Sequence, residues 1–184
     1  PARIGMTLEI NGVEFTIIGT LGLEERWNGQ VARWVEHQVF SPTHGYGWLA
    51  YEQGHFTFTR KVRDYDPLQW LTASTVENSE SRPTRKYGGK TYRYYESTAP
   101  EIVFMEGEFN YLPELGPTKP GITLLGPDAM VTLRRGRGEQ EAERTVLLPR
   151  AAALAELGVD PKDAPIGKFH PLQPYEAGRH EFFM

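Results

Sequence analysis

Residues 6–17, Met6-Thr7-Leu8-Glu9-Ile10-Asn11-Gly12-Val13-Glu14-Phe15-Thr16-Ile17, alternate apolar and polar side chains on both sides of an Asn-Gly pair. A period of two matches a strand with one buried face. Asn and Gly tolerate the positive φ that a two-residue hairpin turn demands, so the segment reads as a β-hairpin. Residues 19–29 read as a loop. Residues 34–40 form a strand, Ser41 to Gly45 a turn and residues 46–52 the returning strand. Gln53-Gly54 turns again into residues 55–60, where Phe56 and Phe58 face the core and His55, Thr57 and Thr59 face outward.

Residues 64–83 are polar and weakly patterned and read as a connector. A second series follows. Lys86-Tyr87-Gly88-Gly89-Lys90-Thr91-Tyr92 repeats the hairpin, and residues 102–111 echo residues 51–58, a Gly followed by polar-aromatic-polar-aromatic. A duplicated meander accounts for both, the extra hairpin around Trp34 and Trp48 then protruding or capping the sheet. After a Pro/Gly-rich stretch (113–127), residues 130–135 and 143–148 form a hairpin across Gly136-Arg137-Gly138. Residues 149–157 give the one helix signal, Ala-rich, with Pro149 at its start and Gly158 past its end.

The expectation is one all-β or β-dominated domain over residues 1–184: a twisted antiparallel meander or partly closed barrel with two related halves and one C-terminal helix. Its parts are a first meander (4–63), the connector (64–83), a second meander plus helix (84–159) and a Pro-rich extended tail (160–184). That tail is expected to be a strap whose Phe182 and Phe183 occupy an apolar groove. The groove would lie on its own domain or on a second copy, in a homodimer.

At 184 residues the chain can bury roughly 70% of its unfolded surface without a metal or disulfide staple. Cys is absent, which removes disulfides, Cys-ligated zinc, iron–sulfur clusters and thiol catalysis, and fits a reducing, cytoplasmic compartment. A net charge of −4 gives no general attraction for nucleic acid. No apolar run approaches the ~18 residues of a membrane span, and the first residues show no charged-then-apolar signal pattern.

Three constellations carry chemistry. Glu36 and Glu52 stand near Trp34 and Trp48, and if the strands pair through the Ser41–Gly45 turn the two acids converge beside two indoles, the arrangement a glycoside hydrolase uses. The plain alternative is edge acids bonded to Arg or backbone. His37, His44 and His55 with Glu36 could offer metal ligands, but without a helical His spacing they read as ordinary histidines, and no metal or cofactor is expected. From Arg82 to Tyr95 there are five cations (Arg82, Arg85, Lys86, Lys90, Arg93), four tyrosines (Tyr87, Tyr92, Tyr94, Tyr95) and no acid. Lys86, Lys90, Arg93, Tyr92 and Tyr94 therefore suit an anionic ligand or acidic protein. The plain alternative is a solvated hairpin whose tyrosines cover a neighbouring strand. No nucleophile elbow or phosphate loop is present.

Ile4-Gly5 ahead of Asn11-Gly12, then Ile18-Gly19, Trp34-Val35-Glu36-His37, Trp48-Leu49 and Gly54-His55-Phe56, resemble the N-terminal part of the bacterial domain of unknown function 4178. Gly107-Glu108-Phe109 and the late hairpin-then-helix resemble its C-terminal part. His37 departs from the family pattern, which has an aromatic there. Members often carry a Cys-rich zinc ribbon ahead of this domain, which a chain without Cys lacks. The family has no established activity, and its gene neighbourhoods imply a partner role in membrane-stress or polyamine-linked systems. The functional expectation is a non-enzymatic binding or scaffolding module, with a small hydrolase or carbohydrate-binding barrel as the alternative.

Overall fold

The computed structural model of the chain describes residues 2–135, 140–167 and 170–172. Strands β1 (Thr7–Ile10), β2 (Val13–Trp27), β3 (Gln30–Ser41), β4 (Gly45–Glu52) and β5 (His55–Val62) form a contiguous antiparallel meander. Asn11-Gly12, Asn28-Gly29 and Gln53-Gly54 all hold positive φ, as hairpin turns of this kind require. The loop expected at 19–29 is instead the second half of β2 and the Asn28-Gly29 turn. A register shift falls between Ile17 and Gly19, and beyond it Leu21 and Leu23 are buried in a different cluster from Phe15 and Ile17, beside Trp34 and Trp48.

The second series is distributed differently from the first. β6 (Thr84–Tyr87), β7 (Lys90–Thr98), β8 (Glu101–Gly107), β9 (Gly116–Pro117), β10 (Gly121–Leu125), β11 (Met130–Arg135) and β12 (Gln140–Leu147) join the same sheet. The order is β6-β7-β10-β11-β12-β5-β4-β3-β2-β8-β9, with β1 on β2. β8 thus parts from β7 to pair with β2 while keeping β9 on its other flank, and the second series does not rebuild a contiguous meander. The hairpin expected to protrude, β3–β4, lies inside the sheet and is bonded on both flanks. The Pro/Gly-rich stretch contributes β10, whose Leu124 is fully buried.

β7 and β8 are joined by Ala99 and Pro100 alone, yet they lie near opposite ends of the strand order. So short a link reaches only about 10 Å. The sheet must therefore curl back on itself, while remaining open rather than closing into a barrel.

One face packs against α2 (Arg150–Glu156). Leu8, Ile10, Phe15, Ile17, Val39, Leu49, Phe56 and Phe58 meet Ala153, Leu154 and Leu157 there. Burial of a side chain such as Leu154 contributes about 2 kcal/mol. Pro149 opens this helix, and Gly158 closes it at φ 65°. Farther along, Tyr65, Leu71, Tyr92, Leu124, Val131 and Leu133 form a second cluster beneath the connector. That connector is more ordered than its sequence suggests, carrying a 3-10 turn (Pro67–Gln69) and the short α1 (Ala73–Glu77).

The tail begins with a 3-10 turn (Pro161–Asp163) rather than an extended strap. Arg150 holds it, its Nε donating to the Gly54 carbonyl at 3.0 Å and its Nη2 to the Ala164 carbonyl. Gly167 N donates to Gln53 O at 3.1 Å. His55, expected to face outward, is buried, with the His170 ring 5.5 Å away. Phe182 and Phe183 lie outside the described residues, as does the Gly136-Arg137-Gly138 turn. No helix among the described residues is long and apolar enough to cross a membrane.

Candidate functional site

The basic hairpin forms as its sequence indicates, with Gly88 and Gly89 at φ 58° and 75°. Its tyrosines, however, serve the core. Tyr92 is only 2% exposed, beneath Tyr87 at a ring distance of 6.2 Å, so it cannot offer its face to a ligand. Tyr94 is half-buried against the same cluster, its hydroxyl 3.1 Å from Ser97 Oγ. Tyr87 packs on Tyr65, and burial pushes the Tyr65 phenol up to about 12 although the Arg85 guanidinium opposes the shift. Lys90 Nζ is paired with Asp128 at 2.6 Å, which holds that carboxyl below its ordinary value. Lys86 is exposed, with its backbone N–H bonded to Gln69 Oε1.

The cations that converge are three arginines. Arg82 from the end of the connector, Arg85 from β6 and Arg93 from β7 line an open hollow of about 670 Å³. Thr75, Ser79, Ser81 and Thr84 add hydroxyls, and Glu80 is the one carboxylate on the wall. None of the three arginines makes a salt bridge among the described residues. Arg85 Nε is buried without a hydrogen-bond partner, an unmet donor of the kind that costs ~1–3 kcal/mol. Arg85 Nη1 already donates to the Thr84 carbonyl at 2.7 Å, so the guanidinium is partly satisfied, and beside two others it is chemically suited to an oxyanion, which accepts from several N–H groups at once.

A second cluster occupies the sheet face opposite α2. Trp34 Nε1 donates to Glu36 Oε1 at 3.2 Å. Burial pushes the Glu36 carboxyl up; the Trp34 N–H and Arg134 oppose this, and Glu52 adds to it. Glu143 is likewise pushed up by burial, with Arg134 Nε a loose 3.8 Å from its carboxylate and Glu36 raising it further. Tyr111 is pushed up to about 12, first by burial and then by Glu36 and Glu143. Glu36 and Glu143 lie three strand steps apart in the order β3-β4-β5-β12, about 14 Å along a flat sheet. Their mutual influence reflects the curl. Gln38 clamps the 108–111 loop over this face, where the Phe109 ring stacks on Trp48 at 6.2 Å and Tyr111 meets Trp48 edge-on.

Sequence reading thus placed Glu36, Glu52, Trp34 and Trp48 on one face, and missed Glu143, Arg134 and Tyr111. No local signal could have found them: the β11–β12 and β12–β5 pairings and the curl bring Arg134 and Glu143 there, and the loop held by Gln38 brings Tyr111. The histidines are dispersed. His37 is buried with Nδ1 2.9 Å from Thr20 Oγ1, His44 meets Thr43 in an exposed turn, and His55 lies under the tail. No group of three or more metal-ligating side chains is found among the described residues.

The fold and its two clusters define a strand-dominated domain: one curled antiparallel sheet with a basic hollow at one end and an acidic, aromatic inner face. The chain belongs to the family of the domain of unknown function DUF4178, whose model matches residues 3–117. The match spans β1 to β9; β10, β11 and β12 lie beyond it, yet they join β7 to β5 in the sheet. No curated protein and no solved structure matches the chain.

Proposed function

We propose that the chain is a non-catalytic binding module of the bacterial cytoplasm, in which the Arg82/Arg85/Arg93 hollow receives carboxylates of an acidic partner. One observation carries this reading: three guanidinium groups from three segments share one hollow without a salt bridge among the described residues. Arg82 and Arg93 are exposed and Arg85 half-buried, and cations without carboxylate partners among the described residues keep their charge for an incoming anion. The family resemblance adds a partner role in a membrane-stress or polyamine-linked system. The test is binding of a fluorescent poly-glutamate peptide at low and physiological salt. Affinity should fall about tenfold between them, since the Debye length drops to ~8 Å. It should vanish in the Arg82→Glu/Arg85→Glu/Arg93→Glu variant, and undiminished binding there would remove the hollow from the function.

A second reading, a small hydrolase or carbohydrate-binding cleft on the inner face, is favoured by Glu36 alone. Its carboxyl is desolvated beside Trp34 and its pKa is raised by burial, the direction that favours a proton donor. The second acid of such a pair is Glu143 or Glu52. Turnover of a glycoside substrate that is lost on Glu36→Gln would establish this reading against the first.

A further inference from the structure

The two ends of the strand order carry opposite charge. From Arg82 to Tyr95 there are five cations and no acid; from Pro100 to Pro117 there are four acids, Glu101, Glu106, Glu108 and Glu114, and no cation. All four glutamates are exposed. The acidic end also carries large exposed apolar side chains: Phe104 is 51% exposed, Val103 50%, Met105 41% and Leu112 88%.

β8 has an unsatisfied flank as well. On its inner side it pairs with β2 over residues 101–107. On its outer side Glu101 and Ile102 pair with Pro117 and Gly116 of β9. Residues 103–106 have no ladder partner there among the described residues. An edge strand with open backbone groups and large exposed apolar side chains is a surface that proteins cover, and an uncovered one invites association.

Like charge argues against two acidic ends meeting. Four carboxylates on each copy would face four, a juxtaposition that costs affinity. The surface on this molecule that complements them is the basic hollow, whose arginines hold no carboxylate among the described residues. Lys86 N–H is already taken by Gln69, so the contact at that end rests on side chains rather than on a strand ladder along the whole of β6.

We infer that the chain self-associates, the acidic, apolar β8 end of one copy seating against the Arg82/Arg85/Arg93 hollow of a second copy. This rests on the reading of the hollow as a receptor for carboxylates and names its occupant. Reciprocal engagement of the two patches closes an isologous dimer, and one-sided engagement is heterologous and builds rings or chains. In either case apolar burial of Phe104 and Leu112 supplies the attraction and the opposite charges set the pairing.

The experiment is sedimentation velocity on the full chain at low and high salt, with two charge-reversed variants. In one, Arg82, Arg85 and Arg93 become Glu, which leaves both ends acidic. In the other, Glu101, Glu106 and Glu108 become Lys, which leaves both ends basic. Circular dichroism confirms that each keeps its strand content. The native chain should associate at low salt and dissociate at least tenfold more readily at high salt. Each variant alone should be monomeric, and an equimolar mixture should associate again. A native chain that stays monomeric at low salt would overturn the inference, as would association untouched by either reversal or a mixture that fails to pair. If poly-glutamate still binds a chain that does not self-associate, the hollow remains a receptor and only its assigned occupant is lost.

Discussion

Gln38 and Asn110, 72 residues apart, exchange two hydrogen bonds: Gln38 Nε2 donates to Asn110 Oδ1 at 2.6 Å, and Asn110 N donates to Gln38 Oε1 at 2.8 Å. Gln38 is 1% exposed, so both bonds are shielded from water on its side. Gln38→Leu should cost about 1–3 kcal/mol, the loss of two bonds worth about 0.5–1.5 kcal/mol each, since exposed Asn110 can turn to water. Gln38→Ala and Asn110→Ala should be non-additive by about 1 kcal/mol in urea unfolding, and strict additivity would show that the clamp contributes nothing.

Gly19 lies directly beneath that loop. A Cβ there would collide with the Glu108 carbonyl oxygen and the Phe109 ring, where Glu108 N donates to Ile18 O. Gly19→Ala should destabilise by about 1–3 kcal/mol through overpacking. It should also shift tryptophan emission as Phe109 moves off Trp48. Gly45→Ala is the instructive control: its positive φ of 75° strains a side chain although nothing lies within 4 Å, so it should cost stability without moving the emission.

His37 sets an acid limit. Burial pulls its pKa from 6.5 down to about 4. The unfolded chain therefore binds the extra proton first, so the contribution is intact above pH 6.5, is lost as pH falls, and is gone below about pH 4. The shift corresponds to at most about 3 kcal/mol. His37→Gln should flatten the profile of unfolding free energy between these limits. Parallel curves for the two proteins across that window would refute the assignment.

The carboxyl of Glu36 behaves with the opposite sign. Its raised pKa means the folded state favours the protonated form, so its contribution is present below the unfolded value of 4.5 and lost as pH rises through the folded value. Glu36→Gln keeps an acceptor for Trp34 Nε1 and removes the charge. The variant should be more stable than the native chain at pH 7 and indistinguishable from it at pH 4. Destabilisation at pH 7 would mean that the ionised carboxylate is needed in place.

Arg150 ties the start of the tail to the β4–β5 turn. Arg150→Ala removes its bonds to the carbonyls of Gly54, Pro161 and Ala164. Residues 160–167 should then be cleaved by trypsin at Lys162 much faster than in the native chain, with the sheet intact. Unchanged cleavage would assign the docking to Ala164 and the Gly167–Gln53 bond instead.

Much of the fold was written locally. The Asn11-Gly12, Gln53-Gly54 and Gly88-Gly89 pairs and the period-two alternation around them determined the hairpins, and Pro149 with Gly158 bounded α2. These are short-range effects: backbone sterics at a turn and the two faces of a strand act between near neighbours, so the sequence exposes them directly. The second half of β2 was obscured because Gly19 and Gly22 thin out its apolar signal, although the odd positions stay buried from Phe15 to Leu23. β10 was obscured by the prolines around it.

What the sequence could not contain was which strand lies beside which. β8 departs to β2, β10 to β12 fill the space between β7 and β5, and the sheet curls, all decided by which apolar faces can be buried together over the whole chain. That choice moved Tyr92 from candidate ligand platform to core and freed Arg82, Arg85 and Arg93 to share one hollow. It also brought Glu143, Arg134 and Tyr111 to Glu36. Composition marked these side chains as chemically capable. Long-range packing, which no local pattern encodes, decided which of them meet.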